Sequence, residues 1–258
     1  MKKLFVLLAA VAMLAAPSAQ AQDKMIFNHL AVGASLGTNG LGIQVAVPAT
    51  NWLQIRGGYS FWPFGFNVNV DMSSLAKTSR DLTDINVKLT PLKGGMGELM
   101  LDFFPSKTSN FHITAGAFLG GGNLLHATAD LSKKFREDEY GTFAFGHGDV
   151  SFTSDEQGYA HIDILTNKFM PYLGIGFGRP IDLEHNFSVS FDFGVAYWGS
   201  PKVVSYNYMN HTLDPSKPVE QVPITSEVLQ HKDQDILDFL GKFPVYPMLK
   251  VKLFFRLF

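Results

Sequence analysis

The chain has no cysteine in 258 residues, which excludes disulfides, thiolate catalysis and the lipid-bearing cysteine of a lipoprotein. Charge is scarce. Asp, Glu, Lys and Arg make up 17% of the residues and the formal net charge is −2, which gives no reason to expect nucleic acid or a strongly acidic partner. Long apolar runs are lacking as well. The longest, Leu4 to Ala16, is too short to cross about 30 Å of hydrocarbon as a helix. It follows Lys2 and Lys3 and precedes Ala19-Gln20-Ala21, which together read as the basic, apolar and small-residue parts of a secretory signal peptide over residues 1–21, cleaved after Ala21.

Aromatic residues and glycine are abundant: 23 Phe and 24 Gly, an unusual balance for a water-soluble domain with so little charge. Their placement supplies the reason. From Phe187 to Tyr197, Phe187, Val189, Phe191, Phe193, Val195 and Tyr197 alternate with Ser188, Ser190, Asp192, Gly194 and Ala196. Strict period two over such a length suits a strand with one face in lipid and the other in a polar lumen. The same pattern recurs over Leu30–Leu36, Leu41–Val47, Trp52–Phe61, Gly97–Phe104, Phe111–Leu119, Pro171–Phe177 and Val245–Phe258. Between the first two, Gly37-Thr38-Asn39-Gly40 is a hairpin turn signal.

The connections point the same way. Links after the second, fourth and sixth strands, at Pro48–Asn51, Pro105–Asn110 and Arg179–Asn186, are short; those after the third, fifth and seventh are long. That alternation is expected of an up-and-down transmembrane barrel with periplasmic turns and extracellular loops. The expected fold is therefore all-β: residues 22–258 as one closed antiparallel barrel of eight strands. Within the long loops, Asn67–Asp71, Asp84–Leu89, Gly148–Thr153 and Tyr159–Leu165 also alternate; they either extend the flanking strands or add a hairpin that would raise the count to ten. Ser226–Leu240 changes to a helical period and predicts a short helix in the last loop, stopped by Gly241.

The C-terminal Tyr246-Pro247-Met248-Leu249-Lys250-Val251-Lys252-Leu253-Phe254-Phe255-Arg256-Leu257-Phe258 resembles the final strand of small Gram-negative outer-membrane barrels of the OmpA/OmpX transmembrane type. Leu101-Asp102-Phe103-Phe104-Pro105 and Pro171-Tyr172-Leu173-Gly174-Ile175-Gly176-Phe177-Gly178 resemble strand segments of the same family. The resemblance implies location in the outer membrane after export through the periplasm. It further implies lipid as partner and a signal in Phe255, Leu257 and Phe258 read by the barrel-assembly machinery. One departure concerns register: the residues two and four before Phe258 are Arg256 and Phe254, while the outward set is Leu253, Phe255 and Leu257. Either Phe258 turns at the membrane edge or a bulge shifts the strand.

Candidate chemistry begins with the charges that alternation turns inward: Arg56, Glu98, Asp102, Asp192, Lys250, Lys252 and Arg256. A narrow barrel fills its interior with side chains, and an unpaired buried charge is costly. A paired network is expected, with Arg56 meeting Glu98 or Asp102 on the adjacent strand; the functional alternative is a narrow ion or proton path. His112 and Thr114 share a face, a pairing that could activate a nucleophile if a carboxylate oriented the ring, and lipid-A deacylases of this architecture use His, Ser and Glu in that manner. Here the hydroxyl is a threonine and no third member is evident, so no catalytic residue is expected. The loop residues His126, His147, Asp149, His161 and Asp163 lack a tight metal spacing, so neither metal nor cofactor is expected. Aromatics at strand ends (Trp52, Phe61, Trp62, Phe64, Phe66, Phe103, Phe104, Phe169, Tyr172, Tyr197, Trp198) fall where interfacial girdles should lie. The composite expectation is a structural or surface-interaction barrel, with a small channel or apolar-molecule transporter as the alternative and a lipid-modifying enzyme as a third reading.

Overall fold

The structure is a computed structural model that describes residues 27–71, 82–142, 144–147, 150–182, 184–224 and 244–258. The signal peptide expected at 1–21, the helix expected at Ser226–Leu240 and the loop residue Asp149 lie outside them. Sixteen strands are numbered in chain order among the described residues. Eight close into an antiparallel barrel: β1 (Ala31–Gly37), β2 (Gly40–Thr50), β3 (Leu53–Phe61), β6 (Met96–Phe103), β7 (Phe111–Gly120), β12 (Phe169–Phe177), β13 (Phe187–Tyr197) and β16 (Val245–Arg256). Each barrel strand pairs with its neighbours in sequence order of the barrel set, and β1 closes on β16. The wall is an eight-stranded meander, and the hairpins in the loops do not enlarge it.

Alternation does what the sequence requires of it. In β13, Phe187, Val189, Phe191, Phe193, Val195 and Tyr197 are exposed while Ser190, Asp192, Gly194 and Ala196 are buried. β12 and β16 repeat this. Outward Ile43 and Phe193 are 67% and 58% exposed, whereas inward Asp102 and Thr114 are at 0%. A water-soluble protein would invert that arrangement; an apolar exterior around a polar interior suits a barrel in hydrocarbon. At the short-turn rim Trp52 meets Phe103 edge-on at 5.4 Å and Phe111 meets Phe177 at 5.4 Å, as an aromatic girdle should. Three of the predicted girdle residues belong elsewhere: Phe104 (0% exposed), Tyr172 and Trp198 are buried inside the barrel. For Tyr172 the cause is parity, since it alternates with outward Pro171 and Leu173. Phe104 and Trp198 lie one residue past the ends of β6 and β13, in step with inward Asp102 and Ala196, so parity turns them inward too.

The register question at the C-terminus is resolved without a bulge. β16 pairs with β1 and β13 in unbroken register and ends at Arg256. Phe258 lies beyond the strand, its carbonyl accepting from Leu30 N at 3.3 Å. Phe254 points inward and is 1% exposed.

The long loops build a second sheet of six strands: β4 (Phe66–Val70), β5 (Ile85–Pro91), β8 (Asn123–Asp130), β11 (Tyr159–Leu165), β14 (Lys202–Asn207) and β15 (Glu220–Pro223). Its order, β4-β5-β8-β11-β14, repeats the barrel order β3-β6-β7-β12-β13, and each of these strands is joined to its counterpart by a few residues. The upper sheet thus continues much of the barrel wall across a kink. Glycines accompany the kink: Gly94 and Gly95 (φ 90° and 65°) between β5 and β6, Gly120 at the end of β7 and Gly121 just after it (87° and 62°), backbone states that a Cβ disfavours. The tight β1–β2 hairpin, with Gly40 at φ 92°, has no such extension. One face of the upper sheet buries Ile85, Val87 and Ala129 against Leu82, Leu131 and Phe135. A small hairpin of β9 (Ala144–His147) and β10 (Val150–Thr153), a 3-10 turn at Glu137–Glu139 and a short helix α1 (Met209–Leu213) complete the elements of the described residues.

Candidate functional site

The lumen holds three layers. At the short-turn end Phe254, Ala31, Ala46 and Ile181 form an apolar seal. Ile181 comes from the β12–β13 connection and is pinned by Gln54, whose Nε2 donates to Ile181 O at 3.1 Å and whose Oε1 accepts from Ile181 N at 3.2 Å. Phe104 lies in the same region beneath the Arg179 guanidinium, 4.1 Å from its ring centre. Towards the long loops, Met96, Met100, Phe118, Met170, Tyr172 and Met248 pack into a second apolar layer. Five charges, Arg56, Asp102, Asp192, Lys250 and Lys252, lie between the two, and a sixth, Glu98, is interleaved with Met96 and Met100 of the upper layer.

Arg56 of β3 is the hub. Its Nε and Nη2 donate to the two oxygens of Asp102, on neighbouring β6, and Nη2 also reaches Asp192 Oδ2, on opposite β13, at 2.8 Å. Asp192 further pairs with Lys252 and with His112 Nε2, the latter at 3.0 Å. Asp102 accepts from Thr114 Oγ1 at 2.7 Å. On the far side Lys250 pairs with Glu98, which also accepts from Gln44 Nε2. All six charged side chains are buried. Three cations face three carboxylates, so each desolvated charge has a partner, the condition under which such burial is tolerated. The residual cavity, lined by Arg56, Glu98, Tyr172, Asp192 and Lys250 among others, has room for about one water molecule.

Of the seven lumen charges read from the sequence, six meet and one does not. Arg256 lies at the rim, where Nη1 donates to Asp182 O at 2.7 Å and Nη2 to Asn186 Oδ1 at 2.8 Å; the β12–β13 connection captures it before it can enter the lumen. Arg56 meets Asp102 as expected, while Glu98 is taken by Lys250. His112 and Thr114 do share a face, but each is bound to a different carboxylate, Asp192 and Asp102, and both are at 0% exposure. The pair required for an activated hydroxyl is not formed. Gln44, not singled out from the sequence, carries the same signal as the others: a polar residue alternating with Ile43 and Val45.

Solved structures that resemble this fold are outer-membrane β-barrel proteins. The chain is similar to CarO of Acinetobacter baumannii, with 19% identity, TM-score 0.44, and 87% of this chain and 96% of that chain covered. For CarO2 of the same organism the values are 16%, 0.45, 91% and 100%. For a major outer membrane protein of Thermus thermophilus they are 14%, 0.42, 88% and 98%. No family model matches the sequence, and no curated protein does.

Of the loop set, the upper sheet brings His126, His161 and Asp163 together. His126 Nδ1 contacts Asp163 Oδ1, and Asp163 Oδ2 accepts from Tyr206 OH. Burial works against the Asp163 carboxylate, yet hydrogen bonds from Tyr206, Asn123 and His126 outweigh it and hold its pKa below the usual aspartate value. Burial first, then Asp155 and Asp163, push the Tyr208 phenol up to about 12. His147 lies in the separate β9–β10 hairpin. The partners missed in the sequence are Thr128, which alternates in step with His126 on β8, and Asp155, which sits in a turn and carries no periodic signal.

Proposed function

We propose that the chain is an outer-membrane protein with a closed, side-chain-filled lumen, acting as a structural or surface-interaction protein through its extracellular sheet and not as an enzyme. The observation that carries this reading is the neutral plug: three cations matched to three carboxylates, with an apolar layer at either end. An ion entering would have to displace a paired charge and an apolar seal, each worth several kcal/mol. The apolar outer belt supports lipid as the surrounding partner. The exposed Phe255, Leu257 and Phe258 at the end of the closing strand support recognition of that strand by the barrel-assembly machinery.

Planar-bilayer recording of the refolded protein tests the reading. No discrete conductance is expected at neutral pH. Steady unitary openings would replace it with the channel reading, in which the small cavity beside Lys250 and Asp192 is part of a conducting path.

A further inference from the structure

Above the sealed lumen, β8 and β11 present a cluster of polar side chains. Register sets His126 opposite Asp163 and His161 opposite Thr128, so the two imidazoles are diagonal neighbours, their rings stacked at 5.4 Å and 15°. Each ring has one nitrogen on a carboxylate: His126 Nδ1 on Asp163 Oδ1 at 2.5 Å, and His161 Nε2 on Asp155 Oδ2 at 2.9 Å. An ionised carboxylate only accepts, so in the neutral ring that nitrogen carries the hydrogen and the opposite one is a bare lone pair. Both lone pairs, on His126 Nε2 and His161 Nδ1, face the same atom, Thr128 Oγ1, at 3.1 and 3.3 Å. One hydroxyl hydrogen serves only one acceptor. The exposed Lys93 brings its Nζ to 3.1 Å from His126 Nε2 and so supplies a cation to the other.

We propose that this cluster binds one divalent transition ion of the zinc, copper or nickel class, through His126 Nε2 and His161 Nδ1, with Thr128 Oγ1 and water completing the shell. Metal-ligating histidines characteristically donate the far ring N–H to a carboxylate, which fixes the ring and raises its basicity; here that relation occurs twice around one point. The carboxylates are committed to this outer role. Asp163 Oδ2 accepts from Tyr206, and Asp155 Oδ1 accepts from the backbone N–H of Gln157 and Tyr159 at 3.0 and 2.8 Å. An imidazole pair selects zinc, copper and nickel over calcium and magnesium. Ligation at about 2.0–2.1 Å draws the two rings towards each other and displaces the Lys93 ammonium into solvent. Lys93 is thus a built-in competitor for one of the two ligand atoms, His126 Nε2. The site goes beyond the function proposed above and is independent of whether the lumen conducts.

The test uses the full chain, refolded in detergent without a polyhistidine tag, titrated with Cu²⁺, Zn²⁺ or Co²⁺ alone. One equivalent binds, and His126→Ala and His161→Ala each weaken it at least tenfold. Asp155→Asn, at a residue that does not touch the ion, weakens it about ten- to hundredfold. Lys93→Ala, which removes only an exposed side chain, tightens binding. His185→Ala and His211→Ala leave the affinity unchanged, and heat-modifiable gel migration verifies the barrel in every variant. Equal affinity in wild type and the His126→Ala/His161→Ala double variant overturns the proposal, as does weaker binding in Lys93→Ala.

Discussion

The barrel and the upper sheet run in the same strand order, five barrel strands each joined to an upper one, yet the two are built inside out relative to each other. Within the barrel the charges are enclosed and most of the apolar residues face outward; in the upper sheet Ile85, Val87 and Ala129 are buried beneath Leu82, Leu131 and Phe135 while most of the charged residues lie at the surface. The difference is one of solvent. Lipid removes the hydrophobic penalty for exposing Phe193 or Leu249, so the barrel interior is free to hold polar groups, provided every one is paired. Once the strands leave the membrane, apolar side chains gain by hiding from water, at roughly 25 cal/mol per Å² of surface. The glycine kinks mark where the wall passes from one regime to the other.

Perturbations confined to one region should separate the two. The largest effect is expected from Arg56→Ala, which leaves Asp102 and Asp192 without their shared guanidinium. Breaking one partner out of a buried network costs about 3–5 kcal/mol, so the folded, heat-modifiable form should be lost at much lower urea than in wild type. Leu131→Ala removes a side chain at the centre of the upper core and should cost about 2–5 kcal/mol there. Limited proteolysis should then cut within the upper sheet while the barrel fragment stays folded; simultaneous loss of both would show that the regions are not separable. Gly176→Val places atoms where His112 Nε2 and Asp192 Oδ1 meet and should destabilise the barrel by about 1–3 kcal/mol, leaving the proteolysis pattern of the upper sheet unchanged.

Acid provides the mildest perturbation. Because the folded-state pKa of Asp163 is depressed, the stability it contributes is fully present above the usual aspartate range, about pH 3.9, and is lost as pH falls through the lower folded value. Hydrogen-exchange protection in β11 and β14, taken relative to the intrinsic amide rate at each pH, should therefore fall on acidification into that range, and Asp163→Asn should flatten the dependence.

How legible was this in the sequence? The barrel strands were almost entirely so, because alternation is a local property: Phe187 to Tyr197 reads as one lipid-facing strand and is one. The upper sheet was half legible. Tyr159–Leu165 matches β11, but β8, with its run of Leu124, Leu125, Ala127 and Ala129, has weak contrast and is held by its neighbours more than by its own pattern. At the lumen the alternation identified which charges face inward, and six of the seven named meet there.

By itself the sequence determined the alternation of most barrel strands and that charges turned inward need partners, because period two and the cost of an unpaired charge need no knowledge of distant residues; whether eight or ten strands close the wall was left to the structure. Only the tertiary structure decided who pairs with whom. Arg56 reaches Asp192 and Lys250 reaches Glu98 on strands diametrically opposite, Arg256 is diverted to Asp182 and Asn186 at the rim, and His126 and His161 converge on Thr128. Those contacts depend on the shear of the barrel, the reach of long side chains across a narrow lumen and the register between strands far apart in the chain, none of which a local pattern encodes.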